Sequence, residues 1–167
     1  MIRFWTERSG LSMDGVPMQN GFDEPIGEGD ERLDELMAMG EEEPETGEML
    51  VEGRLITTTH RVELVYEEEL SSEFGPTLTR IGFDRACPEM ITMLRSGAVN
   101  TAMVFEDRRR HICIYNAPAV GFEVCISTVK VENRLLDEGS LLLDYYMEIH
   151  GVQTEHCKIE LTIQGTE

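Results

Sequence analysis

The stretch Met90–Pro118, MITMLRSGAVNTAMVFEDRRRHICIYNAP, decides the fold. It divides into three short apolar segments separated by Ser96-Gly97 and by Asp107-Arg108-Arg109. Ile91, Met93 and Arg95 share one face of the first segment, and Thr101, Met103 and Phe105 share one face of the second. In the third, Ile112 and Ile114 alternate with His111, Cys113 and Tyr115. A period of two, broken by turn residues, is the pattern of antiparallel strands with one buried face.

The same period extends in both directions. Upstream, Val51, Leu55 and Ile56 belong to one segment in which Gly53 predicts a bend. Val62, Leu64 and Tyr66 line one face of the next strand, and Thr77, Thr79, Ile81 and Phe83 one face of the strand after it. Downstream, Val120–Val131 changes phase between Ile126 and Val129, which predicts a bulge near Ser127 or Thr128. A last hairpin sets Leu141, Leu143, Tyr145, Met147 and Ile149 against Cys157, Ile159, Leu161 and Ile163. Eight or nine consecutive strands with short links favour an up-and-down antiparallel barrel, because closure removes exposed edges.

The first 50 residues have a different composition. They hold 14 of the 33 acidic residues but only three of the 14 basic ones. Residues 1–49 are therefore expected to form a mostly irregular acidic arm, with residues 50–167 as the barrel domain. Within the arm, Leu33, Leu36, Met37 and Gly40 fall at helical spacing, so a short helix is expected at 30–39. Such a helix would either hold a protein partner, or fray in solution or lean on its own barrel.

A formal net charge of −19 opposes phosphate backbones and anionic lipid surfaces, so neither nucleic acid nor membrane is expected as a partner. The four cysteines, Cys87, Cys113, Cys125 and Cys157, are too widely spaced for a Cys-x-x-Cys pair. The segment Met1–Glu7 lacks the apolar run of an export signal, and no apolar run is long enough for a membrane span. Reduced thiols in a cytoplasmic protein are the expectation.

Several residues taken in order resemble a known family. They are Glu52-Gly53-Arg54, Tyr66-Glu67-Glu68-Glu69-Leu70, Thr77-x-Thr79 after Gly75, Arg95-Ser96-Gly97, Met103-x-Phe105, Gly121 after Pro118, and Gly139-x-Leu141-x-Leu143-x-Tyr145. Over Glu52–Ile163 the chain resembles the YwiB-like family of bacterial β-barrel proteins of unknown function. The resemblance implies a calycin-like, lipocalin-type barrel and brings no established activity with it. It also makes the acidic arm look like an addition to the family's usual length. Asn116-Ala117-Pro118-Ala119-Val120-Gly121 spaces its Pro and Gly one residue wider than the family's Thr-Pro-x-Gly.

Arg95 stands where an apolar strand ends. There a guanidinium would pair with a ligand carboxylate or phosphate, or with Glu67, Glu68 or Glu69. His60, His111, His150 and His156 have no i, i+2 or i, i+4 companion, so no metal site is expected. No Gly-x-Ser-x-Gly setting or neighbouring Cys–His pair points to an enzyme, and no cofactor motif is present. Nothing in the sequence selects a spatial dyad such as Cys113 with His156, and the cysteines are expected to behave as small buried hydrophobes. Arg108-Arg109-Arg110 is a basic hairpin tip that would dock an acidic partner or clamp the acidic arm.

Two functions follow. In the first, a non-enzymatic barrel binds a small apolar or amphiphilic molecule. Tyr66, Met93, Met103, Phe105, Phe122, Tyr145 and Met147 line it, and Arg95 fixes a polar end. In the second, a packed barrel acts as a protein-interaction module through its acidic arm or its basic tip. The state of the barrel interior separates them.

Overall fold

The structure, a computed structural model, describes residues 1–10, 30–38, 43–118, 120–149 and 153–165. Among them are eleven strands and one helix. The strands are β1 (Ile2–Gly10), β2 (Glu45–Val51), β3 (Gly53–Thr57), β4 (Arg61–Ser71), β5 (Gly75–Asp84), β6 (Cys87–Gly97), β7 (Asn100–Phe105), β8 (Arg110–Ala117), β9 (Val120–Arg134), β10 (Ser140–Ile149) and β11 (Gln153–Ile163). The helix is α1 (Asp30–Ala38).

All pairings are antiparallel, in the order β2-β1-β11-β10-β9-β8-β7-β6-β5-β4-β3. From β3 to β11 each strand pairs with its sequence neighbour, as expected for hairpins joined by tight turns. The two ends of this order, β2 and β3, are consecutive in the chain and separated only by Glu52. One run of backbone thus lies against β1 with its first half and against β4 with its second. This partner switch makes the sheet a nearly closed barrel. Gly53 stands at the switch, with Ile2 Cδ1 and the Val65 carbonyl oxygen where a Cβ would go. The bend expected at Gly53 is a change of partner strand.

Two expectations need correction here. The strand count is eleven, because the segment before residue 52 supplies two further strands, β1 and β2. Residues 2–10 and 45–49, expected in an irregular arm, are barrel strands: Ile2 pairs with Ile163 on one side and Val51 on the other. The acidic composition hid a period-two signal, in which Ile2 and Phe4 are buried and Arg3 is exposed. The expected bulge in β9 is present one residue further on. Asp144 faces Lys130 and Tyr145 faces Thr128, leaving Val129 unopposed. The helical stop at Gly40 and the turn at 150–152 lie outside the described residues.

The core is graded along the barrel axis. At one end Val62, Ile81, Phe83, Ile91, Phe105, Leu143 and Leu161 pack into a solid apolar plug. In β8 the inward side chains are Cys113 and Tyr115, while Ile112 and Ile114 face outward and are exposed. α1 lies outside the barrel, where Leu33 and Leu36 pack on Tyr146 and Val129. The Arg108 guanidinium clamps it by donating to Asp34 Oδ1 at 3.0 Å. Among the described residues, no helix is long and apolar enough to cross a membrane.

Candidate binding site at the polar end of the barrel

Antiparallel order brings alternate strand ends together. The ends of β4, β6, β8, β10 and β1 meet the starts of β5, β7, β9, β11 and β2 at one rim. The inward residues there are more polar than anywhere else in the barrel. One ladder row runs Tyr66–Thr79–Arg95–Thr101–Tyr115–Phe122 across β4 to β9. Another runs Glu45–Arg8–Cys157–Tyr145–Thr128 across β2, β1, β11, β10 and β9.

Arg95 lies inside this rim and is paired with Glu68, their side chains 16% and 9% exposed. Thr79 Oγ1 donates to the same carboxylate oxygen at 3.0 Å. Burial by itself would lower the guanidinium pKa, but the attraction and hydrogen bond of Glu68 outweigh it and the pKa is raised. Glu68 continues the Val62, Leu64, Tyr66 face of β4, whereas Glu67 and Glu69 are exposed. Arg95 Nε is buried with no hydrogen-bond partner among the described residues. Burial, then the neighbouring Glu68 charge, raise the pKa of the Tyr66 hydroxyl.

A cavity of about 270 Å³ opens at this end, among β1, β2, β10 and β11. Thr6, Arg8, Glu45, Gly47 and Ile159 wall it, and the buried Tyr145 and Cys157 form its floor. Glu7 and Lys158, register partners of the opposite parity, complete its rim. Tyr145 is the register partner of Cys157, and both Arg8 and Arg95 act on its hydroxyl electrostatically. Burial pushes the Cys157 thiol up to about 11, with Arg8 pulling the other way. Arg8 is 62% exposed and holds Glu155 only loosely, at 3.5 Å.

Of the eight residues expected to line a ligand, Tyr145 alone borders this cavity. Tyr66, Met93, Met103 and Phe105 face inward but are packed in the core. Phe122 and Met147 are partly buried against it, and Phe122 stacks on Tyr115 with centroids 5.3 Å apart. Arg95 is engaged by Glu68. Residue reading missed Thr6, Arg8, Glu45 and Gly47, because they fall in the segment assigned to the arm. The Ile2-x-Phe4 alternation was the signal that would have found the first two.

The remaining candidates do not gather in one site. Arg110 donates through Nε to Cys125 Sγ at 2.9 Å and pairs with the buried Glu148 at 3.3 Å. His156 stacks on Tyr146 and pairs with Asp144 at 2.6 Å on the outer face. Cys113 faces the interior, so the barrel wall separates it from His156 and the dyad does not form. His111 lies 3.4 Å from Glu106. All four cysteines are free thiols. Among the described residues no three His, Cys, Asp or Glu side chains gather as a metal site would require.

The architecture defines an all-β protein, a nearly closed antiparallel barrel with a packed end and an open polar end. The chain belongs to the family described as "Domain of unknown function (DUF1934)", whose profile matches residues 34–161. A similar solved structure is the "Crystal structure of ywiB protein from Bacillus subtilis", at 18% identity and a TM-score of 0.59. The alignment covers 99% of this chain and 92% of that one. The family profile begins within α1, while β1 and the start of β2 bring residues from the N-terminal segment into the barrel sheet. No curated protein matches the chain.

Proposed function

We propose that this protein is a non-enzymatic cytoplasmic binding protein that holds a small amphiphilic molecule at the polar end of a calycin-like barrel. The observation that carries this reading is the open cavity, floored by buried Tyr145 and Cys157, beside the packed apolar core. Drug-sized guests occupy roughly 300–1,000 Å³, so about 270 Å³ selects a small molecule over a long acyl chain. The guest's apolar part would meet Ile159 and the Tyr145 ring, and its polar part the charged rim.

The protein-interaction reading has less support. The two surfaces it would use are engaged with each other, since α1 buries Leu33 and Leu36 and Asp34 receives Arg108. Native mass spectrometry of the full chain, purified gently from its host, tests the proposal. A discrete small extra mass is expected in the natural chain and is lost in Thr6→Trp, which fills the cavity from an exposed wall. A bare mass, or a guest retained by Thr6→Trp, overturns it.

A further inference from the structure

Arg8 and Glu45 are direct register partners on β1 and β2, and their side chains project from the same face. Directly opposed side chains of an antiparallel pair have Cβ atoms about 4.5–5.5 Å apart, and opposite charges so placed ordinarily join. These two do not. Arg8 turns toward Cys157 and Glu155, and Glu45 has no ion-pair partner among the described residues. Both side chains border the cavity. A guanidinium with donors to spare and an open carboxylate thus stand side by side above an uncharged floor.

From this juxtaposition we infer that the cavity takes a small zwitterion, an α-amino acid with an aliphatic side chain. This rests on the binding reading above and names its ligand class. The ligand carboxylate accepts from Arg8 and its ammonium donates to Glu45, while the side chain lies over Ile159 and Tyr145. One carbon separates the two charges of an α-amino acid, a spacing that suits the gap between directly opposed cross-strand residues.

Charge bookkeeping favours the zwitterion over its singly charged relatives. The cavity carries Arg8 and Lys158 against Glu7 and Glu45, a balanced set. A simple anion would sit against Glu45 in the field of a protein of net charge −19. A simple cation would sit against Arg8 and Lys158. A neutral dipolar guest avoids both penalties and satisfies both open groups. Size agrees: at about 30 Å³ per water, about 270 Å³ is the room of about nine waters.

The test is a titration of the ¹⁵N-labelled full chain followed by amide resonances. The probes are L-leucine, 3-methylbutylamine (the same skeleton without the carboxylate) and 4-methylpentanoate (the same skeleton without the ammonium). L-Leucine is expected to move resonances of β1, β2 and β11 saturably, with each singly charged probe at least about tenfold weaker, as for loss of one charge-assisted contact. Glu45→Gln and Arg8→Gln should each weaken L-leucine by a similar factor. Both sites are exposed, so the unperturbed spectrum reports that the fold is kept. Equal binding of either singly charged probe, or unchanged L-leucine binding in both variants, overturns the inference. If no probe binds while a small guest is still released from the gently purified protein, the zwitterion inference falls and the binding reading stands. If L-leucine saturates these strands and Thr6→Trp abolishes it, both stand.

Discussion

Glu68 and Arg95 form an ion pair inside the barrel wall, joining β4 to β6 across β5, with Thr79 of β5 donating to the same carboxylate. The pair occupies the charge that residue reading offered to a ligand. It also explains how an arginine persists on the face that carries Ile91 and Met93.

Removing one partner of such a pair leaves a charge in a poorly solvated place. Glu68→Gln should destabilise the protein by about 3 kcal/mol, the lower end of the range for buried pairs, since both groups keep some exposure. Replacing both, as Glu68→Leu with Arg95→Met, should recover most of that loss. Urea unfolding of the two single variants and the double variant checks this. A Glu68→Gln protein as stable as the parent would show the pair to be of little consequence to the fold.

Alkaline pH should destabilise the barrel through its floor. Cys157 titrates near 11 in the fold against an ordinary value of 9.0, and burial also raises Tyr66 and Tyr145 above their usual 10.0. A raised acid is protonated in the fold where the unfolded chain has already ionised. Stability is therefore intact below pH 9 and declines as pH rises from about 9 toward 11, where the unfolded state binds fewer protons. Urea midpoints measured at pH 8, 9, 10 and 11 should fall across this window, and more shallowly in Cys157→Ala. The thiols offer a second reading. Cys87 is only partly covered while the other three are buried, so a thiol reagent at pH 8 should modify one cysteine quickly and the rest on unfolding.

α1 should come away without loss of the barrel. Among the described residues its hold includes Leu33 and Leu36 on Tyr146 and Val129, the exposed Arg108–Asp34 pair and a contact of Arg108 with Met37 Sδ. An exposed ion pair is worth about 0–1 kcal/mol, so Arg108→Ala should change little. Leu36→Asp places a charge in a fully buried site and should release the helix, which is too short to persist alone. Limited proteolysis checks this: cleavage within residues 30–38 should accelerate in Leu36→Asp while the fragment carrying β3 to β11 stays intact. Rapid digestion of that fragment as well would show that α1 supports the barrel.

The strands from Val62 to Ile163 were legible because inward residues are apolar at period two and turns are marked by Gly, Pro and Asp. The apolar plug was legible for the same reason. β1 and β2 were not, because acidic residues, Gly and Pro dominate the first 50 residues. Ile2-x-Phe4 is too short to outweigh its acidic neighbours, and β2 is exposed on almost every residue. The cavity was missed with them, since Thr6, Arg8, Glu45 and Gly47 come from those two strands. Arg95 was recognised as a buried charge, but its partner was not singled out. Position 68 shares a face with Tyr66, and that argument depends on where the strand ends.

The Ser96-Gly97 connection between β6 and β7 supplies the most local test. Gly97 has φ of +135°, a conformation that residues with a Cβ rarely adopt. An added Cβ would fall on the Pro76 carbonyl oxygen and lie 3.1 Å from Thr77 Cα. Neither is the movable end of a side chain, so β5 or β6 must shift. The residues next to this contact are Thr77, buried beside Val99, and Arg95 two positions back. Gly97→Ala should therefore cost about 1–3 kcal/mol by strain and overpacking together. It should also displace the amide resonances of Thr79 and Arg95, while Gly75→Ala, with open space around its Cβ, should act through backbone conformation alone and leave them in place. Equal spectral changes in the two variants would mean that the close approach of β5 and β6 at Gly97 does not hold the Arg95 end of the barrel.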